Sequence, residues 1–422
     1  ETVGNDDQIP NGVVTALAQD AQGALWIGTQ SGLIRYDGHG YARFRHDRDD
    51  PGSIGGDFVF SLAIGADGRV WTGSEVNGVS VLDPATGRFT RFQHVPGHRD
   101  GIGPGNIFAI AIAPDGDVFI AADDGLVRHN PQRGRFEPIV LGVEGDLPEP
   151  QERVRSLLFD AQGNLWIGTM DGLQRLRRGS TAVEPFLTQG GPSLAGREIV
   201  SLMMAGNGSL WVGTRESGAA IVNPDDGTIR WVGTTHAQAA ELSRSWINAI
   251  AQATPEEVWI SRYGSGLAIV DAVSGEVRHL LNEDPSQADG LSFDAAGAML
   301  VDRSGLLWIG SWGGGLQRHN PRNAGFRILR HSVRQTSALT YGNVLSVLER
   351  RDGRILVGST QNGSDIVDRR LGVVGGYRAD GRPGALADGV IGGMDEAADG
   401  TLWVGTFQSG VQRLAPGSSH FQ

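Results

Sequence analysis

Apolar and polar positions alternate along this chain in short runs, and the runs return with a fixed period. A clear copy is Leu25-Trp26-Ile27-Gly28-Thr29, followed by Ser31-Gly32-Leu33-Ile34-Arg35. The same pattern surrounds Trp71, Phe119, Trp166, Trp211, Trp259, Trp308, Leu356 and Trp403, so that successive anchors stand 45 to 49 residues apart. A period of this size signals a repeat architecture rather than a set of ordinary domains. Within one copy the pattern reads as four strands. Phe58 to Ile64 is an apolar run, Ala66-Asp67-Gly68 turns, and Val70 to Gly73 runs back. Val79 to Leu82 and Phe89 to Phe92 follow, parted by Asp83-Pro84 and Thr86-Gly87. Short β-forming runs bounded by such turn residues predict a four-stranded antiparallel meander.

Counting back from each anchor aligns the first strand of every copy. Large aliphatic residues dominate twelve and nine places before it, as in Val59 and Leu62 or Ile199 and Leu202. Ten places before, every residue is small: Ala16, Ser61, Ala109, Ser156, Ser201, Ala249, Ala298, Ser346 and Gly393. Small side chains let neighbouring backbones converge, as they must at the narrow end of a wedge-shaped sheet. The expected fold is therefore all-β, a β-propeller of four-stranded antiparallel blades over residues 1–422. We expect one closed nine-bladed ring; the alternative is a seven-bladed ring plus two blades of a truncated second ring. The anchor is expected to pack between blades, and the glycine after it to make room for the large ring. Turn carboxylates such as Asp20, Asp160 and Asp302 are expected to shape turns, not to catalyse.

Composition narrows the function. A net charge of −12 argues against a nucleic-acid binder, which needs a basic face, and disfavours docking on anionic lipid. With no cysteine there is neither a disulfide framework nor a thiolate metal site. The ten histidines show no paired-ligand spacing, and His129 and His319 both precede Asn-Pro at equivalent strand ends, as structural residues would. No nucleophile elbow and no phosphate-cradling loop leading into a helix is present. We expect no catalytic residue, no metal and no cofactor.

The unit Leu-Trp-Ile-Gly-Thr, a short polar loop, Gly-Leu, then Arg and Asp or Asn-Pro resembles the two-component regulator propeller repeat. The matching segments are Leu165 to Arg175, Leu210 to Pro224, Leu307 to Pro321 and Leu402 to Arg413, with Val154 to Gly163 fitting the preceding strand and turn. The resemblance implies the extracytoplasmic, periplasmic sensor region of a bacterial histidine kinase, hybrid kinase or diguanylate cyclase, binding a glycan or other small ligand and acting through downstream signalling domains, as a possible homodimer. The chain departs from the full layout: it has no immunoglobulin-like, membrane-spanning, kinase or cyclase segment, and larger members carry two seven-bladed rings.

In a propeller, the loops entering the inner strand and those after the second strand converge around the channel. Positions there are the least repetitive of this chain, where packing does not dictate identity. Trp312 and Tyr263 are the leading candidates, bulky residues in the tight loops Trp312-Gly313-Gly314-Gly315 and Tyr263-Gly264-Ser265-Gly266. Arg262, Trp246, Arg215 and Arg155 join them, with Tyr341 and Phe407 from later repeats. Aromatic faces beside polar groups suit a sugar. The arginines, together with Arg153 and Arg244, hint at an anionic ligand such as an acidic glycan. Two alternatives stay open: a propeller lyase or glycosidase acting on polysaccharide, and a protein-interaction scaffold.

Overall fold

The computed structural model describes the chain except at positions 1, 6, 76, 95–101, 132–133, 142–152, 187–191, 234–241, 284–290, 323–330, 332–337 and 369–371. The described elements contain no α-helix; each repeat forms one antiparallel sheet. The chain divides into two compact units, Glu1–Arg322 and Asn323–Gln422, which are described separately.

The first unit holds seven blades. In blade 1 the strands, from inside outward, are Val14–Gln19, Leu25–Thr29, Gly32–Tyr36 and Tyr41–Phe44. The inner strands of the next six blades begin at Val59, Ile107, Val154, Ile199, Ile250 and Ala296. Each packs beside the inner strand of the following blade, and that of blade 7 packs beside that of blade 1. Blade 7 takes its outermost strand from the start of the chain: Thr2 pairs with Gln317 and Val3 with Leu316. Arg303 of blade 7 crosses the same joint, its guanidinium donating to the carbonyls of Asp20 at 2.6 Å and Ala21 at 3.0 Å. The expected single nine-bladed ring is therefore replaced by a ring that closes after seven blades. The N-terminal strand completes blade 7 as its fourth strand and so fastens the last blade of the ring to the first, whose inner strands also pack together.

The small residue ten places before the anchor does more than make space. Where it is serine, its hydroxyl donates to a carbonyl of the next blade: Ser61 to Ile107 at 3.0 Å, Ser156 to Ile199 at 3.2 Å and Ser201 to Ile247 at 2.7 Å. The glycine after the anchor serves the same joint. A Cβ at Gly73, Gly168 or Gly213 would collide with that serine and with the isoleucine of the following blade. The expectation that these glycines accommodate the tryptophan is corrected. They admit the next blade's aliphatic side chain.

Turn carboxylates also have a defined task. Asp20, Asp160 and Asp302 each accept from the indole Nε1 of their own anchor, Trp26, Trp166 and Trp308, at 2.9, 3.0 and 2.7 Å. They accept from turn amides as well, Asp160 from Gln162 and Asn164. Burial opposes ionisation of Asp302, yet the bonds from Ser304, Trp308 and Leu306 outweigh it and lower its pKa.

The second unit contains two sheets. Val344–Glu349, Ile355–Ser359, Ser364–Asp368 and Gly372–Tyr377 form the first; Ile391–Glu396, Leu402–Thr406 and Gly410–Leu414 form the second. Ser346 repeats the interblade bond, donating to Ile391 at 3.1 Å, and Leu356, Leu386, Ile391 and Leu402 form the core between them. Leu356, the anchor backed by the following sheet, is fully buried, whereas Trp403, the anchor of the last repeat, is 40% exposed, so burial of the anchor depends on the blade that follows it.

Candidate functional site at the mouth of the seven-bladed ring

In five of the seven blades the loop that enters the inner strand is pinned by a buried aliphatic residue seventeen places before the anchor. Ile9, Ile54, Ile102, Leu194 and Leu242 occupy this position and are all buried. In two of these loops a histidine ring ties the turn together, His46 Nδ1 lying 2.8 Å from the Ile54 carbonyl and His94 Nδ1 3.1 Å from that of Ile102. The opposing loops, after the second strand, are fixed by hydroxyls donating back across the turn: Thr214 to Gly218 at 2.8 Å and Ser311 to Gly315 at 3.1 Å. Side chains at the mouth are thus carried on ordered backbone.

The residues eleven and thirteen places before the anchor project from these loops and inner strands, and they do not repeat. They build a line of stacked rings and guanidinium groups. Trp312 lies across the inner strand of blade 7: a Cβ at Gly297 would stand only 2.6 Å from its Nε1, so glycine is required there. Its ring meets Phe58 edge-on at 6.2 Å, Phe58 stacks on Phe60 at 4.3 Å, and Phe60 is 6.4 Å from Phe108. The Arg155 guanidinium sits 4.0 Å over the Phe108 ring and donates through Nε to Glu198 at 3.0 Å. Glu198 also faces Arg215 at 3.4 Å, and Arg215 lies 4.7 Å over Trp246, whose ring is 4.6 Å from Tyr263. The line touches six of the seven blades. Cation–π contacts of this kind contribute about 0.5–2 kcal/mol each, according to exposure.

Of the residues singled out in sequence, Trp312, Trp246, Tyr263, Arg215 and Arg155 are brought into this line. Arg262 is not. It is 2% exposed and its Nη2 donates to Asn282 at 3.1 Å, so it supports its loop instead of facing the mouth. Tyr341 and Phe407 belong to the second unit, where Tyr341 stacks over His331 at 6.4 Å and Phe407 is 79% exposed. Phe58, Phe60, Phe108 and Glu198 escaped the sequence reading, because an apolar or acidic residue beside a strand looks like ordinary packing. Their signal was a break in the repeat: the slot filled by Phe60 and Phe108 holds Thr15, Val200 and Asn248 elsewhere.

The basic rim is largely neutralised. Besides Glu198, Arg155 has Asp123 at 4.0 Å, and Arg153 has Asp123 at 3.8 Å. Trp246 Nε1 is buried and without a hydrogen-bond partner. Among the described residues no cluster of histidine and carboxylate side chains could hold a metal ion. A cavity of about 820 Å³ lies away from the mouth, at the turns of blades 2 and 3. It is lined by Trp71, Phe92 and His129, whose rings pack together across the joint of blades 2 and 3, and by Asp117, which pairs with Arg128 of its own blade; burial lowers the His129 pKa.

Comparison with known proteins fits this construction. The two component regulator propeller family matches residues 8–31 and 148–171, each an inner strand, its turn and the anchor strand. At these two segments the chain carries the two component regulator propeller repeat. No curated protein matches it by sequence. Among solved structures, the extracellular domain of a hybrid two component system from B. thetaiotaomicron is 21% identical with a TM-score of 0.75, covering 98% of this chain and 53% of that one. The extracellular domain of a one component system from the same organism is 18% identical with a TM-score of 0.58, covering 97% and 52%. Virginiamycin B lyase from Staphylococcus aureus is 13% identical with a TM-score of 0.54, covering 75% and 97%. At these identities the likeness is one of fold. The chain spans about half the length of the two sensor domains. No helix among the described residues is long and apolar enough to cross a membrane.

Proposed function

We propose that the seven-bladed ring is the extracytoplasmic ligand-sensing module of a bacterial signalling receptor, and that the ligand is a glycan or similar small molecule held at the channel mouth. The observation that carries this reading is the line of aromatic and guanidinium groups from Trp312 to Tyr263, assembled from non-repeating positions on a repeating scaffold. Flat rings cover the C–H face of a sugar while Asp123 and Asn248 meet hydroxyls. The site binds without catalysing; the family match and the fold shared with sensor domains favour this over hydrolysis. A ligand signals only by binding two states of the receptor unequally, so the ring passes its occupancy to downstream signalling domains by pairing of two receptors.

The test is a thermal-shift screen against neutral and acidic oligosaccharides, with product analysis of each hit. A ligand binding only the folded state stabilises it by about 2.7 kcal/mol at a hundredfold excess over Kd. An intact stabilising glycan whose effect disappears in Trp312→Ala and Trp246→Ala supports the reading. Cleavage of the glycan favours a lyase or glycosidase, the reading to which the shared fold of virginiamycin B lyase points. A shift untouched by both substitutions places the site elsewhere.

A further inference from the structure

Glu198 stands at the centre of the polar half of the mouth. Its carboxylate receives Arg155 Nε at 3.0 Å and faces Arg215 Nη1 at 3.4 and 3.5 Å from its two oxygens. Each guanidinium is already committed on its flat face, Arg155 to Phe108 at 4.0 Å and Arg215 to Trp246 at 4.7 Å. What the two arginines have left to offer is their N–H edges, and Glu198 takes these. Only 13% of the Glu198 side chain is exposed, and the Arg155 side chain is nearly as enclosed at 14%. Guanidinium edges are what recognise carboxylate and phosphate, and a carboxylate already seated between two of them excludes a second by occupancy and by like charge.

We propose that Glu198 is the charge-selectivity residue of the mouth: it fills the anion position of a two-arginine cradle from within, so that the native site takes uncharged ligands and rejects carboxylates. The inference rests on the mouth being the ligand site, and it reverses the acidic-ligand preference that the count of rim arginines suggests. Asp123, within 4.0 Å of both Arg153 and Arg155, adds to the neutralisation on the blade 3 side. Arg153 and Arg215 remain at the outer rim, with side chains 55% and 44% exposed, where solvent screens them. Removing the Glu198 carboxylate leaves both guanidinium edges turned toward a space of carboxylate size.

The experiment compares benzamide with benzoate, a neutral and an anionic probe of one shape, on the whole chain by ligand-observed NMR titration and by thermal shift. The native protein is expected to prefer benzamide. In Glu198→Ala the preference inverts, benzoate binding at least about tenfold more tightly than benzamide, because a charge-assisted cradle replaces a filled one. Acetate is expected to raise the melting temperature of Glu198→Ala and not that of the native protein. Glu198→Gln, which keeps the size and fills the space, gains no acetate response and guards against a folding artefact. A native protein that prefers benzoate overturns the proposal, as does a folded Glu198→Ala that gains no affinity for benzoate. The binding-site reading is scored separately, by whether benzamide binding is lost in Trp246→Ala, so either idea can fail alone.

Discussion

Blades 4 and 5 bury the same anchor in the same slot and satisfy it differently. Trp166 and Trp211 are both fully buried. In blade 4 the Trp166 indole donates to Asp160 at 3.0 Å, and the cross-strand neighbour Arg175 lies 5.3 Å over its ring. In blade 5 the turn residue is Ala205 and the cross-strand neighbour is Ile221, and Trp211 Nε1 has no partner. Blade 6 copies blade 5, with Ala253 and Ile269 about an unpartnered Trp259. Blades 1 and 7 copy blade 4, with Asp20 and Arg35, and Asp302 and Arg318. Among the six tryptophan anchors of the ring the carboxylate and the guanidinium come and go together; Phe119, which has no indole donor, keeps Arg128 over its ring with Ala113 in the turn. The constant feature is burial of a large ring, and the polar pair is an optional way to satisfy its one donor. A turn carboxylate that can be exchanged for alanine between blades of one ring is structural.

Four measurements break or sharpen that comparison. The largest effect is expected from the anchors: Trp166→Ala and Trp211→Ala should each destabilise by about 3–5 kcal/mol in denaturant titration, with similar costs, because cavity and lost burial dominate. Markedly different costs would mean the polar pair, not burial, carries blade 4. Next, Gly213→Ala forces a methyl against Ser201 and Ile247 and should cost about 1–3 kcal/mol, whereas Gly405→Ala in the last repeat, where a Cβ meets only backbone at 3.6 Å, should cost much less. Asp160→Ala strands the Trp166 indole and two turn amides and should cost about 1–3 kcal/mol. The reciprocal change, Ala205→Asp with Ile221→Arg, supplies the partner that Trp211 lacks. The pair should be more stable than the sum of the two single variants by about 0.5–1.5 kcal/mol, read from a double-mutant cycle.

The smallest effect is in pH dependence. Burial among Trp71, Phe92 and Phe136 disfavours the His129 imidazolium and lowers its pKa below 6.5. The unfolded chain takes up a proton that the folded chain refuses, so this contribution is complete above about pH 6.5 and declines as pH falls through and below that value. His319, also lowered by burial, acts in the same direction. His129→Phe should leave stability near pH 7.5 little changed and reduce the loss of melting temperature between pH 7 and pH 5. An unchanged slope would assign that loss to other groups.

The contrast between the two ends of the ring explains what the sequence showed of the site. At the turn end every copy solves the same packing problem, so the residues repeat and their roles are legible from the period. At the mouth the scaffold leaves side-chain identity free, and departure from the repeat is itself the signal. That criterion marks Trp312, Trp246 and Arg155; Phe60 and Phe108 depart from the repeat too, but their apolar character matches that of the core. It also drew in Arg262, whose buried place in its loop follows from contacts with Asn282, twenty residues away.

By itself the sequence determined the strand pattern, the four-stranded blades and the small inner column, because each follows from local alternation, turn chemistry and the steric demands of one wedge. The tertiary structure alone decided that the ring closes at seven. All nine repeats read alike, and closure depends on the accumulated angle between wedges and on Thr2 and Val3 completing the edge of blade 7. It alone decided the mouth as well. A guanidinium over a phenylalanine one blade away, and the same guanidinium donating to Glu198 43 positions on, are contacts brought together only when the inner strands converge on a common axis.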